Sequence, residues 1–195
     1  MKGFKDGISE SEKAALAERF IASEEQFSGR VFTVEIQDVE LADGSRAKRE
    51  IVKHHGGACV LAIDSEFRVP LVLQHRAAFK SLLYEIPAGK LEPGEEALAC
   101  AQRELKEECG LTAKSWQELA VLYPSPGYDT EVITIFLAQD ILDTGVQDLD
   151  EGEFLKVKKL PFDDLFAAVM RGQIKDAKTQ IAVLKAWHLL RSKSE

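Results

Sequence analysis

The sequence has little of what extracellular or membrane-spanning proteins need. It contains three cysteines among 195 residues, an odd number without CxxC spacing, which argues for reduced thiols and against a disulfide framework or a zinc site. No apolar run approaches the roughly 18 residues of a membrane span. The N-terminus becomes charged where a signal peptide is apolar. We therefore expect a cytoplasmic protein with no membrane partner.

Positive charge is also scarce. Lys and Arg number 25 against 33 Asp and Glu, a formal net charge of −8, so the surface repels polyanions and nucleic acid is not an expected partner. Hydrophobic residues make up 45% of the chain, which is typical of a globular protein with a real core. The acidic excess is local, because residues 139–153 hold six acids and no base.

The order of periodic segments predicts an α/β or α+β sandwich. An amphipathic helix is predicted over residues 9–22, with Ser9 or Ser11 as its cap. Two alternating strands, from residue 29 to about 42 and over 46–54, are joined by a hairpin turn. The remaining predicted strands lie at 58–63, 69–77, 81–89, 116–123, 131–138 and 154–160, and the remaining helices at 94–110, 162–171 and 176–192.

One predicted helix carries the strongest chemical signal. Glu104, Glu107 and Glu108 stand at i, i+3 and i+4 and share one helix face, where their charges repel. The only local counter-charges are Arg103 and Lys106, which we expect on other faces. A bound divalent cation would offset the repulsion, and oxygen ligands without His or Cys favour Mg²⁺ or Mn²⁺. The alternative is an ordinary solvated acidic face.

The spacing around this helix resembles the Nudix box at all nine of its specified positions. These are Gly89, Glu95, Arg103, Glu104, Leu105, Glu107, Glu108, Gly110 and Leu111. The resemblance implies a Nudix-type α/β/α sandwich with a mixed sheet and a loop-helix-loop that holds Mg²⁺ against a diphosphate. It also implies that Glu104 and Glu108 bind metal, that the Ala88 carbonyl completes the coordination, and that Arg103 pairs with Glu95.

Two features outside the box resemble the ADP-ribose pyrophosphatase branch, which also hydrolyses other nucleoside diphosphate sugars. A Ser-Pro-Gly loop with Pro126 and Gly127 follows the box, although the same residues also suit a plain turn. An N-terminal helix and two strands precede the box in the same order. The resemblance implies that residues 1–54 form a dimerisation and substrate-wall extension of a hydrolase domain over 55–195, and that the protein is a homodimer.

Two arginines and a downstream acidic loop complete the predicted site. Arg49 and Arg76 offer forked donors to substrate phosphates or ribose, although each equally suits an ordinary strand surface. Enzymes of this branch often take the general base from a mobile loop beyond the box. Glu151 is favoured as this base by its position, with Glu153 as an extra metal ligand or alternative base. Glu107 is the competing base, and an acidic solvated turn is the alternative reading of the loop.

The expected function is Mg²⁺-dependent hydrolysis of the pyrophosphate bond in ADP-ribose or a related nucleoside diphosphate sugar. The products would be a nucleoside monophosphate and a sugar phosphate. Two alternatives remain open, namely clean-up of oxidised or non-standard nucleoside di- and triphosphates, and a nucleotide sensor without turnover. Such a sensor usually carries a DNA-binding domain, for which this chain has no room.

Overall fold

A computed structural model describes residues 7–149, 152 and 154–191. The chain forms two compact units. The first contains the residues up to His54 together with Ser125–Thr130, and the second contains His55–Pro124 and the residues from Glu131 onward. Within the described ranges, no helix has the length and apolar character needed to cross a membrane.

Four helices and ten strands make up the described structure. The helices are α1 (Glu10–Leu16), α2 (Ala97–Cys109), α3 (Phe162–Met170) and α4 (Ala177–Arg191). The strands are β1 (Arg19–Ser28), β2 (Phe32–Glu40), β3 (Arg46–His54), β4 (Gly57–Ala62), β5 (Arg68–Arg76), β6 (Ser81–Glu85), β7 (Ala88–Lys90), β8 (Leu111–Leu122), β9 (Ile133–Asp143) and β10 (Leu155–Pro161).

The N-terminal helix is shorter than the sequence predicts. Ser9 caps α1 in a capping box, in which its hydroxyl accepts from the Glu12 N–H and the Glu12 carboxylate accepts from the Ser9 N–H. No residue of α1 is buried, so its expected apolar face covers nothing. Residues from Arg19 onward form β1 instead, because pairing with β2 satisfies their backbone groups. The predicted helix over 9–22 is therefore wrong in its second half, where tertiary pairing overrides local propensity.

The first unit is a three-stranded antiparallel sheet in the order β1-β2-β3. The predicted hairpin between β2 and β3 is confirmed, with Glu40 opposite Arg46 and a positive φ of 81° at Gly44 in the turn. The segment 125–130 pairs beside β3, since the Val52 N–H donates to the Tyr128 carbonyl at 2.7 Å and the Thr130 N–H donates to the Val52 carbonyl at 2.9 Å. The sequence did not indicate that this loop belongs to the N-terminal unit.

The second unit is an α/β/α sandwich with a mixed sheet, as the sequence predicts. One sheet has the order β7-β4-β9-β8, in which β4 and β9 run parallel and the other pairs are antiparallel. The other sheet is antiparallel, with the order β10-β5-β6 and β10 at the edge, as predicted. Every residue of β4 is buried, because helices cover both of its faces.

Alternate residues of β4 separate the core into two clusters. Ala58, Val60 and Ala62 pack with the residues of α2, while Cys59 and Leu61 pack with those of α3 and α4. On the α2 side, the helix buries Cys100, Ala101, Leu105 and Glu108. This packing presses α2 onto the sheet and fixes the direction of its carboxylates.

The predicted strand over 81–89 is interrupted, and the interruption places the candidate site. Strand β6 ends at Glu85, and β7 begins at Ala88 in the other sheet. Between them, the Ile86 N–H donates to the Thr179 hydroxyl at 2.9 Å, and the Pro87 carbonyl accepts from the Val60 N–H at 3.0 Å. The sequence prediction missed this change of sheet, although Pro87 between the two strands argues against one continuous strand.

Candidate active site

Gly89 lets a helix carboxylate lie directly against the backbone of β7. A Cβ built on Gly89 would stand 1.6 Å from Glu104 Oε1 and 2.0 Å from its carboxyl carbon. Any other residue at this position would therefore displace the Glu104 side chain. The close approach gives a physical reason for the glycine that begins the motif.

Glu108 reaches the same short strand from the next position on the helix face. Its side chain accepts a hydrogen bond from the Ala88 N–H at 3.0 Å, and the residue is only 3% exposed. Two carboxylates of α2 therefore converge on Ala88 and Gly89. The roles of Glu104, Glu108 and the Ala88 carbonyl as metal ligands stay predictions.

Arg103 joins the loop to the helix and contacts three glutamates. It donates to Glu95 from Nε at 2.9 Å and from Nη2 at 3.0 Å, as the motif implies. Its Nη1 also donates to Glu104 at 2.7 Å and to Glu107 at 3.0 Å. The expectation that Arg103 points to another face is therefore wrong, because its long side chain reaches its i+1 and i+4 neighbours.

The pKa values around Arg103 reflect this clamp. The hydrogen bonds from Arg103 lower the pKa of the Glu95 carboxyl, and the bond to Glu95 is the largest of the effects that raise the pKa of Arg103. The Arg103 guanidinium and the Glu95 carboxylate therefore stay charged across the physiological range. The repulsion among the helix glutamates is partly offset by the protein itself.

The chemistry of the side chains on this face fits a divalent metal ion. Among the residues that the structure describes, no group of three Asp, Glu, His or Cys side chains forms a ready-made metal site. Arg103 holds Glu104 and Glu107 in ion pairs on this face. The donor set nevertheless suits a hard cation, because two carboxylates converge on a glycine cradle.

Arg76 lies at the end of β5 and is held by a buried carboxylate. Its Nε donates to Glu85 Oε1 at 2.7 Å and its Nη2 donates to Glu85 Oε2 at 2.8 Å, a bidentate pair. Glu85 is 2% exposed, whereas 40% of the Arg76 side chain remains accessible. The Glu85 bonds raise the pKa of Arg76, and the charge of Glu108 acts in the same direction.

Sequence reasoning missed Glu85, although one signal was present. Glu85 is an acidic residue inside the apolar segment SLLYEI, where an unpaired charge is costly. A buried acid in such a run requires a partner, and Arg76 on the neighbouring strand supplies it.

The segment after β9 is attached to the C-terminal end of α2. The Thr144 N–H and hydroxyl donate to the Gly110 carbonyl at 2.8 and 2.7 Å, and the Asp148 N–H donates to the Glu107 carbonyl at 3.0 Å. These bonds satisfy carbonyls that the helix end leaves open. The candidate bases Glu151 and Glu153 follow this segment but lie outside the described residues, so their roles stay predictions.

The other predicted substrate residues lie in the first unit. Arg49 on β3 donates from Nε to Glu18 at 3.1 Å and from Nη1 to the Lys48 carbonyl at 3.0 Å. Pro126 and Gly127 are exposed in a turn. The structure therefore groups Ala88, Arg76, Glu104, Glu107 and Glu108 within the second unit, and the participation of Arg49, Pro126 and Gly127 stays a prediction.

A glycine-cradled carboxylate helix on this sandwich defines a Nudix-type hydrolase. The NUDIX domain profile matches residues 53–182, so the chain belongs to the Nudix family. Enzymes of this family generally require divalent metal ions.

Similar proteins cover most of the chain. It is 42% identical over 170 residues to the ADP-ribose pyrophosphatase of Bacillus subtilis (strain 168), with 87% of this chain and 92% of that protein covered. It is 39% identical over 167 residues to the methanol dehydrogenase activator of Bacillus methanolicus, with 85% and 90% covered. A crystal structure of an ADP compounds hydrolase shares the fold at a TM-score of 0.79 and 24% identity, covering 91% of this chain and 97% of that one.

The Glu85 pair predicts how stability depends on pH. Burial alone would raise the pKa of Glu85, but hydrogen bonds from Arg76 and the charge of Lys178 outweigh it and lower the pKa to about 2. In the unfolded chain the value is about 4.3, so the stabilisation is complete above about pH 5 and is lost as pH falls toward 2. Urea unfolding of wild type and Glu85→Gln should give free energies that converge over this range.

Glu66→Gln is the matched control for this measurement. Glu66 pairs with Arg68 at 3.2 Å, but 72% of its side chain is exposed. Its removal should leave the acid limb of the stability curve unchanged. A difference between wild type and Glu85→Gln that stays constant from pH 6 to pH 2 would contradict the role of the buried pair.

Proposed function

We propose that this protein hydrolyses the pyrophosphate bond of ADP-ribose or a related nucleoside diphosphate sugar. Water attacks one phosphorus atom, the bridging P–O bond breaks, and a nucleoside monophosphate and a sugar phosphate leave. The observation that carries the proposal is the convergence of Glu104 and Glu108 on Ala88 and Gly89. The similarity to a relative named ADP-ribose pyrophosphatase supports this substrate class.

The proposed metal is Mg²⁺, with Mn²⁺ as a second possibility, because oxygen donors surround the cradle. Glu104, Glu108 and the Ala88 carbonyl would hold it, and Glu153 would add a ligand. A bound divalent ion supplies charge neutralisation to the diphosphate oxygens. Arg103 must then share Glu104 with the ion, while its bonds to Glu95 keep loop and helix together.

Arg76 is the proposed phosphate contact in the second unit. Nε and Nη2 are used by Glu85, so among the described residues Nη1 has no bond and is available to a diphosphate oxygen. The bidentate pair fixes the plane of the guanidinium and lowers the entropy cost of binding. Arg49, Pro126 and Gly127 are proposed to contact the nucleoside or sugar part of the substrate.

Glu151 is the proposed general base. Its competitor Glu107 is held by Arg103, whose Nη1 donates to Glu107 Oε2 at 3.0 Å, so a water would have to reach Oε1 beside this clamp. Glu153 remains the alternative in the same loop. The beginning of this loop is tied to the end of α2 through Thr144 and Asp148, which favours a base delivered from this side.

The two alternative functions are less well supported. Clean-up of oxidised or non-standard nucleotides would use the same helix, but the Ser-Pro-Gly loop and the N-terminal unit favour a nucleoside diphosphate sugar. A sensor without turnover would not need Glu104, Glu107 and Glu108 together with the Arg103 clamp. Activity measurements separate all three.

The first test is turnover with Mg²⁺ against ADP-ribose, ADP-glucose, GDP-mannose, UDP-glucose and oxidised nucleotides, with products identified. ADP-ribose or another sugar nucleotide should give the highest kcat/KM. Glu104→Gln and Glu108→Gln should each lower kcat/KM by about 100-fold or more, because charge stabilisation of the transition state is lost. The exposed Glu118 on β8 provides the control, since Glu118→Gln should keep wild-type rates.

Two results would contradict the proposed function. Tight ADP-ribose binding without turnover of any compound would favour a sensor, and preferred hydrolysis of oxidised nucleotides would favour clean-up. Circular dichroism of the Gln variants should match wild type, so that lost activity reports on the site and not on unfolding.

The assignment of the base is tested by three Gln variants assayed with the best substrate. Glu151→Gln should lower kcat by about 10²-fold to 10⁴-fold, the usual contribution of a general base, with little change in metal affinity. Glu107→Gln should lower kcat less. If Glu153→Gln alone gives the large loss in kcat, Glu151 is not the base.

The first unit is proposed to form the contact of a homodimer in the cytoplasm. Val39 is the only buried residue among those described in this unit, while Phe20 and Phe27 are 56% and 52% exposed. A small sheet with so little core of its own needs a partner surface. The proposed partner is a second copy of this chain.

Light scattering coupled to gel filtration tests the dimer. Wild type should elute with twice the chain mass of 21.6 kDa, and Phe27→Asp should shift the mass toward one chain because it places a charge in the contact. Phe79→Asp, which changes an exposed phenylalanine of the second unit, is the control and should stay dimeric. A wild-type mass of one chain at micromolar concentration would refute the proposal.

A further inference from the structure

Four charged side chains, one of which is the partly exposed Arg76, form a continuous series of ion pairs. Glu85 shares its Oε2 between Arg76 Nη2, at 2.8 Å, and Lys178 Nζ, and Lys178 also donates to Asp176 Oδ1 at 2.7 Å. The Lys178 and Asp176 side chains are only 14% and 13% exposed. Two cations and two anions balance, so the network as a whole carries no net charge.

The network fastens the start of α4 to the end of β6. Asp176 precedes α4, and its Oδ2 accepts from the Thr179 N–H at 2.9 Å, the bond expected of an N-cap. The Thr179 hydroxyl is fully buried, donates to Asp176 and accepts from the Ile86 N–H at 2.9 Å. Side-chain and backbone bonds therefore hold the same junction.

Four consecutive residues from this junction to the candidate site are each fixed by a separate bond. Glu85 is held by Arg76 and Lys178, the Ile86 N–H by Thr179, the Pro87 carbonyl by the Val60 N–H, and the Ala88 N–H by Glu108. The backbone between the junction and the candidate site is therefore held at each of these residues.

The position of Lys178 is unfavourable for a lysine, and its bond to Glu85 offers a reason for its presence there. It stands in the first turn of α4, where the helix macrodipole disfavours a cation. Burial would lower the pKa of Lys178, but the charges of Asp176 and Glu85 outweigh it and raise the pKa. The ammonium group therefore stays charged. It donates one of the two hydrogen bonds that Glu85 Oε2 accepts, and Arg76 Nη2 donates the other.

Resting on the proposed function, we infer that Lys178 is a positioning residue that acts on the diphosphate through Arg76. Because the Glu85 carboxylate is shared between Lys178 and Arg76, its negative charge is not spent on Arg76 alone. Lys178 also holds this carboxylate in place, and the carboxylate in turn sets the plane of the Arg76 guanidinium. Loss of Lys178 leaves one uncompensated negative charge behind Arg76. Substrate binding should weaken more than the chemical step.

The test is a double-mutant cycle with Lys178→Met and Arg76→Gln, measured as kcat and KM for ADP-ribose and, without turnover, as the Kd of ADP-ribose by calorimetry. Lys178→Met should raise KM about tenfold and change kcat less than threefold. A tenfold effect is in the middle of the range for two residues of one hydrogen-bond network, here Lys178 and Arg76 joined by Glu85. In the Arg76→Gln background the same change should have little further effect on KM or Kd.

Two more variants separate positioning from a general effect on folding. Lys178→Arg keeps the charge and should restore KM to within about threefold of wild type. Lys185→Met removes an exposed lysine of the same helix and should leave KM and thermal stability unchanged. If Lys178→Met does not fold, Lys178→Gln takes its place, since it keeps a donor for Glu85 without the charge.

The outcomes distinguish this inference from the proposed function. Equal fold-changes of Lys178→Met in both Arg76 backgrounds, or a loss confined to kcat, would overturn the inference while wild-type turnover leaves the function standing. Absence of both turnover and ADP-ribose binding in wild type would overturn both. Coupled effects on Kd without wild-type turnover would support the positioning role and refute the hydrolase.

Discussion

The guanidinium of Arg103 is the contact on which the rest of the candidate site depends. It bonds to Glu95 in the loop and to Glu104 and Glu107 on α2, so a single side chain fixes the loop against the helix. The opposite face of α2 is buried against β4 through Cys100, Ala101 and Leu105, which prevents the helix from rotating. The direction of the carboxylates is thus fixed by the Arg103 ion pairs on one face of α2 and by the apolar contact with β4 on the other. Neither contact alone would define their direction.

This arrangement also offsets part of the charge of the acidic face within the protein itself. Arg103 offsets part of the repulsion among the glutamates, and Glu108 avoids it by turning toward the Ala88 N–H. A divalent ion with two charges in a small radius is a stronger partner for Glu104 than a delocalised guanidinium. The bonds of Arg103 to Glu95 do not involve Glu104, so a change of partner at Glu104 would leave the loop attached to the helix.

The sequence predicted those parts of the molecule that local pattern determines. The unbroken apolar run of β4, the helix closed by Gly110 with its φ of 64°, and the glutamate spacing on α2 all appear as expected. It could not predict what depends on distant partners. Residues from Arg19 form a strand only because β2 lies beside them, and the break between β6 and β7 depends on Thr179, 93 positions from Ile86. The prediction that Arg103 points away from the acidic face was wrong, because helical spacing gives the direction of a Cα–Cβ bond but not the reach of a long side chain.

The two charged clusters of the second unit, the carboxylates on α2 and the network around Glu85, use charge in opposite ways. On α2, three glutamates share a face with one arginine, a surplus of negative charge that suits the divalent ion that enzymes of this family generally require. At Glu85 the count is even, so the network keeps its own bonds and serves as a rigid support. Arg76 belongs to the balanced network but exposes its tip, and the Glu108 charge reaches it. The proposed diphosphate would therefore meet two cations, the divalent ion proposed at α2 and the Arg76 guanidinium that Glu85 holds in place.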